Sequence, residues 1–259
     1  MKVVPLIAAL VGCSEVELHY DKSSTTLPTT ITSPTTPTTP TPTIDTATTT
    51  TTPTDTGTRT GTPEQQVLAP IRDAMVIENR PTTNYGERIE LSCGAWTEGG
   101  VPYTVRGLVA FDLSGLPPDA FGIVATLDLY AETTSRMYGQ GITNSLPPGH
   151  SNLSSSNAWR IRRTLDPWDE LTVTWSNQPA ADGNAVVQEP GTSLSDLDYL
   201  GIDVSGLVAD ALAAGDGEAS FLLHLANESY YAEVTFGSGD HSDPALHPVL
   251  TLDYLVPGP

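Results

Sequence analysis

Past position 63 the sequence has no lysine, and eight arginines stand against 26 aspartates and glutamates. Over all 259 residues the formal charge is −20. Nucleic-acid binding needs a basic footprint on phosphate, so this balance excludes it as a partner. It suits neutral ligands or divalent cations, and it also serves plain solubility. Cysteine is nearly absent. Cys13 and Cys93 are the two present, too few for a disulfide framework, and Cys93 reads as a small buried hydrophobe. No apolar run reaches the length of a membrane-spanning helix. The recognisable catalytic strings are missing too: there is no Gly-x-Ser-x-Gly elbow, no His-Glu-x-x-His and no glycine-rich phosphate loop. His150, His241 and His247 lie in loop sequence without a metal-ligand spacing, and His224 reads as a core or cross-strand histidine. A hydrolase or lyase is therefore the reading with least support, and we expect no enzyme.

What is present begins with an address. MKVVPLIAALVGCS carries one charge at Lys2 and a short apolar stretch from Val3 to Val11, which is the form of a secretory signal peptide over 1–12. Leu10-Val11-Gly12-Cys13 resembles a bacterial lipobox. That resemblance implies cleavage ahead of Cys13 and acylation of its thiol and amine, an anchor far firmer than one acyl chain. Ser14 in place of Asp implies export to the outer membrane. The expected location is thus exported and lipid-anchored at the outer membrane or cell surface, with the lipid as the only membrane contact. Residues 13–63 then form a stalk. From Ser23 to Pro63 there are 22 Thr and 7 Pro in 41 residues, too little apolar surface to offset chain entropy, so an unfolded, polyproline-biased spacer is expected. Its hydroxyls are acceptors for O-linked sugars.

From 64 to 259 the pattern changes to period two. Strands are expected at Gln66–Glu78, Arg88–Ser92, Tyr103–Leu113, Ile123–Glu132, Val186-Val187, Tyr199–Val204, Phe221–Ala226, Ala232–Phe236 and Val249–Tyr254, with one helix over Gly206–Ala214. Residues 134–157 have no period and read as a long loop. The segment Ala158–Pro179 reads as a central hairpin. In it Trp159, Ile161 and Arg163 share one face of a first strand, Leu171, Val173 and Trp175 share one face of a second, and Asp166-Pro167 makes the turn. Trp159 and Trp175 are accordingly expected in the core. The fold class is all-β: a sandwich or jelly roll of about ten antiparallel strands with one short helix, behind a disordered Thr/Pro linker.

The order of landmarks then carries a resemblance. Asn84-Tyr85-Gly86 is followed by Arg106, Phe111-Asp112-Leu113-Ser114 and Leu116-Pro117, then by Ala125, Leu127, Leu129 and Tyr130. Trp168 and Glu170 lead into Val173-Thr174-Trp175, Asn177 and Pro179; Ile202-Asp203-Val204, Phe236, Ser238, Pro248, Leu250 and Tyr254 follow. This series, from Asp73 to Tyr254, resembles the DNRLRE domains, a β-sandwich family that overlaps carbohydrate-binding module family 96. The literal hexapeptide is absent. The resemblance implies a non-catalytic module for polysaccharide or glycan, in some members an acidic polysaccharide such as alginate. A domain of charge about −18 fits a polyanion poorly unless bound calcium bridges the two.

Sugar recognition needs flat aromatic faces and polar forks. Trp96, Tyr138, Tyr230 and Tyr231 lie in or beside expected loops and are the candidate platforms, each also readable as a half-buried rim aromatic. Arg160, Arg162 and Arg163 are the one basic cluster, able to clamp a carboxylated sugar or to pair with acids across strands. Oxygen-rich loop clusters at Asp182-Gly183-Asn184, Asp216-Gly217-Glu218 and Asp240-His241-Ser242-Asp243 suit calcium in type. The candidate positions for a structural calcium are Asp240 with Asp243, and Glu78 with Asp253 where terminal strands meet. The leading expectation is a surface-displayed polysaccharide-binding module. The alternative is a structural or adhesive envelope protein without a sugar site.

Overall fold

The computed structural model describes residues 60–134 and 149–258. Cys13, nearly all of the Thr/Pro stalk and Tyr138 lie outside them. Twelve strands, one α-helix and two single-turn 3₁₀ helices form two sheets. In chain order the strands are β1 (Gly61–Leu68), β2 (Arg72–Ile77), β3 (Glu90–Glu98), β4 (Val101–Asp112), β5 (Phe121–Leu129), β6 (Ser151–Asn152), β7 (Trp159–Arg163), β8 (Val187–Glu189) and β9 (Tyr199–Asp203), then after α1 (Ser205–Ala214) come β10 (Glu218–Leu225), β11 (Ala232–Gly237) and β12 (Val249–Pro257). One sheet runs β1-β12-β5-β9; the other runs β6-β11-β3-β4-β10-β7-β8, with β2 also paired to β4. Every pairing is antiparallel. The all-β sandwich expected from period two is what forms.

The alternation sorts side chains between two apolar clusters. Val105, Val109 and Phe111 of β4, Phe221 and Leu223 of β10, and Trp159 and Ile161 of β7 point inward, into the main core with Leu127, Leu129, Leu250 and Leu252 of the other sheet. Trp159 packs at its centre against Tyr199 and Phe236, ring centroids 5.3 Å away in both cases. On the outer face of this sheet β2, β4 and β10 carry a second, smaller cluster: Ala74, Val76, Leu108, Ala110 and Leu222, covered by Trp168 and Val173. Strands apolar on both faces are expected where both faces are covered. Here the cover is the loop of residues 164–181. α1 adds Leu207, Val208 and Ala211 to the main core and ends on Gly215 in the left-handed region at φ 77°, where only glycine is unstrained.

Three expectations are corrected. The stretch Gln66–Glu78 is two strands in different sheets, because Pro70 cannot donate to a ladder and the chain crosses between sheets there. Arg88–Ser92 is the start of a longer strand: β3 continues to Glu98, through Trp96. Of the Ala158–Pro179 hairpin only the first strand exists. From Asp169 the chain turns, with the Val173 amide donating to the Asp169 carbonyl at 2.8 Å, and a 3₁₀ turn follows over Trp175–Asn177. The Thr174 amide and hydroxyl both donate to Asn177 Oδ1, at 2.6 and 2.9 Å. Such local side-chain bonds compete with a ladder and win where no strand edge is offered. The loop 134–157 also contains the two-residue β6 against β11.

Candidate functional site

The covering loop is held down by the residues that carried the resemblance. Asn84 Nδ2 donates to the carbonyls of Glu170 and Val173, both at 2.7 Å, and its Oδ1 accepts from the Gly86 amide at 3.2 Å. A Cβ on Gly86 would stand 2.1 Å from the Glu170 carbonyl oxygen, so this close approach admits only glycine. Glu170 Oε1 accepts from the Asp73 amide at 2.8 Å. Trp168 lies under the guanidinium of Arg72, 4.7 Å from the ring centre, and its indole nitrogen donates to Ser220 Oγ at 2.9 Å. These groups position a loop.

Between that loop and the outer face of β10 lies an open cleft of about 400 Å³, lined by Arg106, Arg162, Ala181, Leu222, His224 and the turn Leu225–Glu228. Arg106 comes from β4, Arg162 from β7 and His224 from β10. Outer-face positions on three neighbouring strands therefore converge. Arg106 is fully engaged. Its Nε and Nη2 donate to the two oxygens of Glu228 at 2.8 and 3.0 Å, and its Nη1 donates to Gln178 Oε1 at 3.2 Å. Its guanidinium lies over the Trp175 ring at 4.7 Å. The bidentate pair and the stacked ring fix one wall of the cleft.

Arg162 is different. Its Nη1 reaches only the Asp182 carbonyl, at 3.4 Å, and its Nε is buried with no hydrogen-bond partner. Among the described residues no carboxylate forms an ion pair with it. With Arg106 neutralised by Glu228, the cleft carries one uncompensated cation in a domain where acids far outnumber bases. His224, also half-buried, makes one hydrogen bond, Nδ1 to the Leu225 carbonyl at 2.8 Å. Burial holds its pKa below the ordinary histidine value of 6.5, against the Leu225 bond and Glu228, which raise it, while Arg162 and Arg106 add to the lowering. The ring is therefore neutral at neutral pH.

The residues proposed from the sequence are placed as follows. Trp96 is 6% exposed, its ring edge-on to Tyr231 at 5.0 Å between centroids, so it offers no open face. It sits inside β3 because the strand runs past the expected stop. Tyr231 is half-buried, its hydroxyl 3.1 Å from Thr97 Oγ1. Tyr230 is 47% exposed and lies two residues beyond Glu228 of the cleft. Arg160 donates to Gln188 at 3.1 Å on the neighbouring strand. Arg163, not Arg162, makes the cross-strand acid pairs, with Asp216 at 2.7 Å and Asp182 at 3.9 Å. Trp175 is a half-buried loop residue rather than a core strand residue.

The four acids considered for calcium are not brought together. Glu78, in the turn just past β2, accepts from the Thr104 amide at 3.0 Å, whereas Asp253, in β12 of the smaller sheet, accepts from Gln65 at 2.8 Å. Asp243 caps the 3₁₀ turn Pro244–Leu246 through the Ala245 amide at 3.0 Å, and Asp240 lies at the preceding turn with its amide on Ser238 Oγ at 3.0 Å. Among the described residues no group of three or more His, Cys, Asp or Glu side chains is placed to hold a metal.

Sequence reasoning missed Gln178, His224 and Glu228 as site residues, and used Arg106 only as a landmark. A signal existed for two of them. Arg106 and His224 each interrupt an otherwise apolar strand, and a polar group on such a strand needs either a partner or a cleft.

No curated protein matches the chain. The region 146–254, which contributes every lining residue of the cleft except Arg106, matches carbohydrate-binding module family 96.

Proposed function

We propose that the domain binds polysaccharide or glycan at the cleft between β10 and the covering loop, without catalysis, and that a carboxylated sugar is its preferred residue. The observation that carries this reading is Arg162: a half-buried guanidinium with no ion pair among the described residues, facing an open cleft in a strongly acidic domain. A guanidinium is pre-organised to bind a carboxylate bidentately, and no protein carboxylate competes for it. The family match over 146–254 supports carbohydrate as the ligand class. Asn227 adds an amide for hydroxyl groups, and Trp175 and Gln178 hold Arg106 in place at the cleft wall. Cys13 and the Thr/Pro segment make this a display module: a lipid anchor, a spacer, and a binding domain held clear of the membrane.

The test is a glycan array with the full chain, carrying neutral and carboxylated oligosaccharides. We expect saturable binding biased to carboxylated sugars. Arg162→Gln should weaken it at least tenfold, the scale of a lost charge-assisted pair. Binding that survives Arg162→Gln undiminished would remove the cleft from consideration. The burial of Trp96 favours the second reading, a structural envelope protein without a sugar site; an array with no binder, on a protein that keeps its fold, would select it.

A further inference from the structure

Resting on that reading of the cleft, we infer that His224 is its specificity-determining switch. When neutral it accepts a hydrogen bond from a ligand hydroxyl; when protonated it adds a second uncompensated cation beside Arg162 and tightens the hold on a carboxylated sugar.

The tautomer follows from one contact. Nδ1 of His224 lies 2.8 Å from the Leu225 carbonyl oxygen, which can only accept, so Nδ1 carries the proton. In a neutral ring Nε2 is then an acceptor. It has no partner among the described residues, and it is not among the buried polar atoms that lack one. The unshared lone pair therefore belongs to an accessible atom of a residue lining the cleft.

The charged neighbours come from every side. Across β7 the register sets Arg160 opposite His224 and Arg162 opposite Leu222. Arg160 turns to Gln188, whereas Arg162 stays in the cleft. On β4, Arg106 follows the paired Gly107 and Leu223 by one step, and it is already held by Glu228. Glu228 is the one carboxylate of the cleft lining. Protonation of His224 therefore changes the charge of Arg106, Arg162, His224 and Glu228 together from +1 to +2. Burial, joined by the two arginines, lowers the pKa of His224 from 6.5 against the opposing Leu225 bond and Glu228 charge, which sets the change on the acid side of neutrality, where a uronic acid is still ionised. A bound carboxylate offsets Arg162, so it must raise the affinity of His224 for its proton. By linkage the proton must raise the affinity for the carboxylate equally.

The experiment uses the full chain with an oligogalacturonate tetramer and the same tetramer with its carboxylates reduced to alcohols. Affinities are measured between pH 5 and pH 7.5. We expect the uronate tetramer to bind about tenfold more tightly at pH 5, and the reduced tetramer to change less than threefold. His224→Gln keeps an acceptor but cannot titrate: it should bind the uronate tetramer somewhat more weakly at pH 7.5 and show no slope. His224→Ala should lose affinity further at pH 7.5, so that glutamine is a partial rescue. In the wild-type protein, NMR titration of the His224 ring should give a higher pKa with the uronate tetramer than without. A His224→Gln profile that follows the wild-type slope, or an imidazole pKa unmoved by the tetramer, overturns the role of His224. If binding still requires Arg162, that result leaves the carbohydrate reading standing. If neither tetramer binds the wild-type protein at any pH, the reading of the cleft falls and this inference with it.

Discussion

Asp73 is a carboxyl group 2% exposed at the foot of β2, with Oδ2 accepting from the Gly239 amide at 2.6 Å. Burial pushes its pKa up to about 7 from 3.8, and the carboxylates of Asp240 and Glu170 add to the rise against the opposing Gly239 bond. The folded state therefore binds a proton that the unfolded chain releases above about pH 4. Stability from this group is full below that pH and is lost as pH rises through 7. Glu233, wholly buried with its pKa well raised by desolvation, works in the same direction. His150 and His224, lowered by burial, work against it below the ordinary histidine value. Urea unfolding at pH 5 and pH 8 should differ by on the order of 2–3 kcal/mol in the part removed by Asp73→Asn, the wild type gaining stability towards pH 5 and the variant lacking that gain. Equal slopes in the two proteins would show that Asp73 titrates normally.

One unit of the fold, the loop over the outer face of β2, β4 and β10, links the resemblance to the site. Its residues Trp168, Glu170, Val173 and Asn177 are legible as landmarks, but the sequence pattern sets Val173 in a hairpin strand, Trp168 in its turn and Asn177 at its end, and that second strand does not form. The alternation of Leu171, Val173 and Trp175 is genuine. Only Val173 of the three is buried, against the outer cluster, while Leu171 is 60% exposed. Asn84→Ala removes two bonds that pin this loop and one that shapes the turn before it. It should cost about 2–3 kcal/mol in chemical unfolding. Because Trp175 and Gln178 stand on the same loop, it should also weaken sugar binding more than stability alone would require at a temperature where the variant is folded. Unchanged affinity in a destabilised Asn84→Ala protein would separate the loop from the site.

For the whole molecule, the reading is of a binding domain on a spacer behind a lipidated cysteine. Cys13→Ser should move the protein from the membrane fraction to the soluble fraction and abolish incorporation of labelled fatty acid, with carbohydrate binding by the domain unaffected. Membrane retention of that variant would require another anchor. What the sequence determined by itself is the sandwich. Period-two alternation, glycine and proline punctuation and the position of the one helix are local signals, and burial on one face or both is written into each strand. The acidity of the chain, and the Thr/Pro composition ahead of the first strand, are equally local. Only the tertiary structure decided which polar groups meet. The cleft draws Arg106, Arg162, His224 and Glu228 from three separated stretches of chain. Whether an arginine there is spent on a glutamate or left for a ligand depends on pairings that no short window contains. Arg160, Arg162 and Arg163 look alike in sequence, yet the fold gives the first a glutamine, the third two aspartates and the second only a backbone carbonyl among the described residues. Strand alternation fixes which side of the sheet each one leaves from, but what waits there is set by strands and loops distant in the chain.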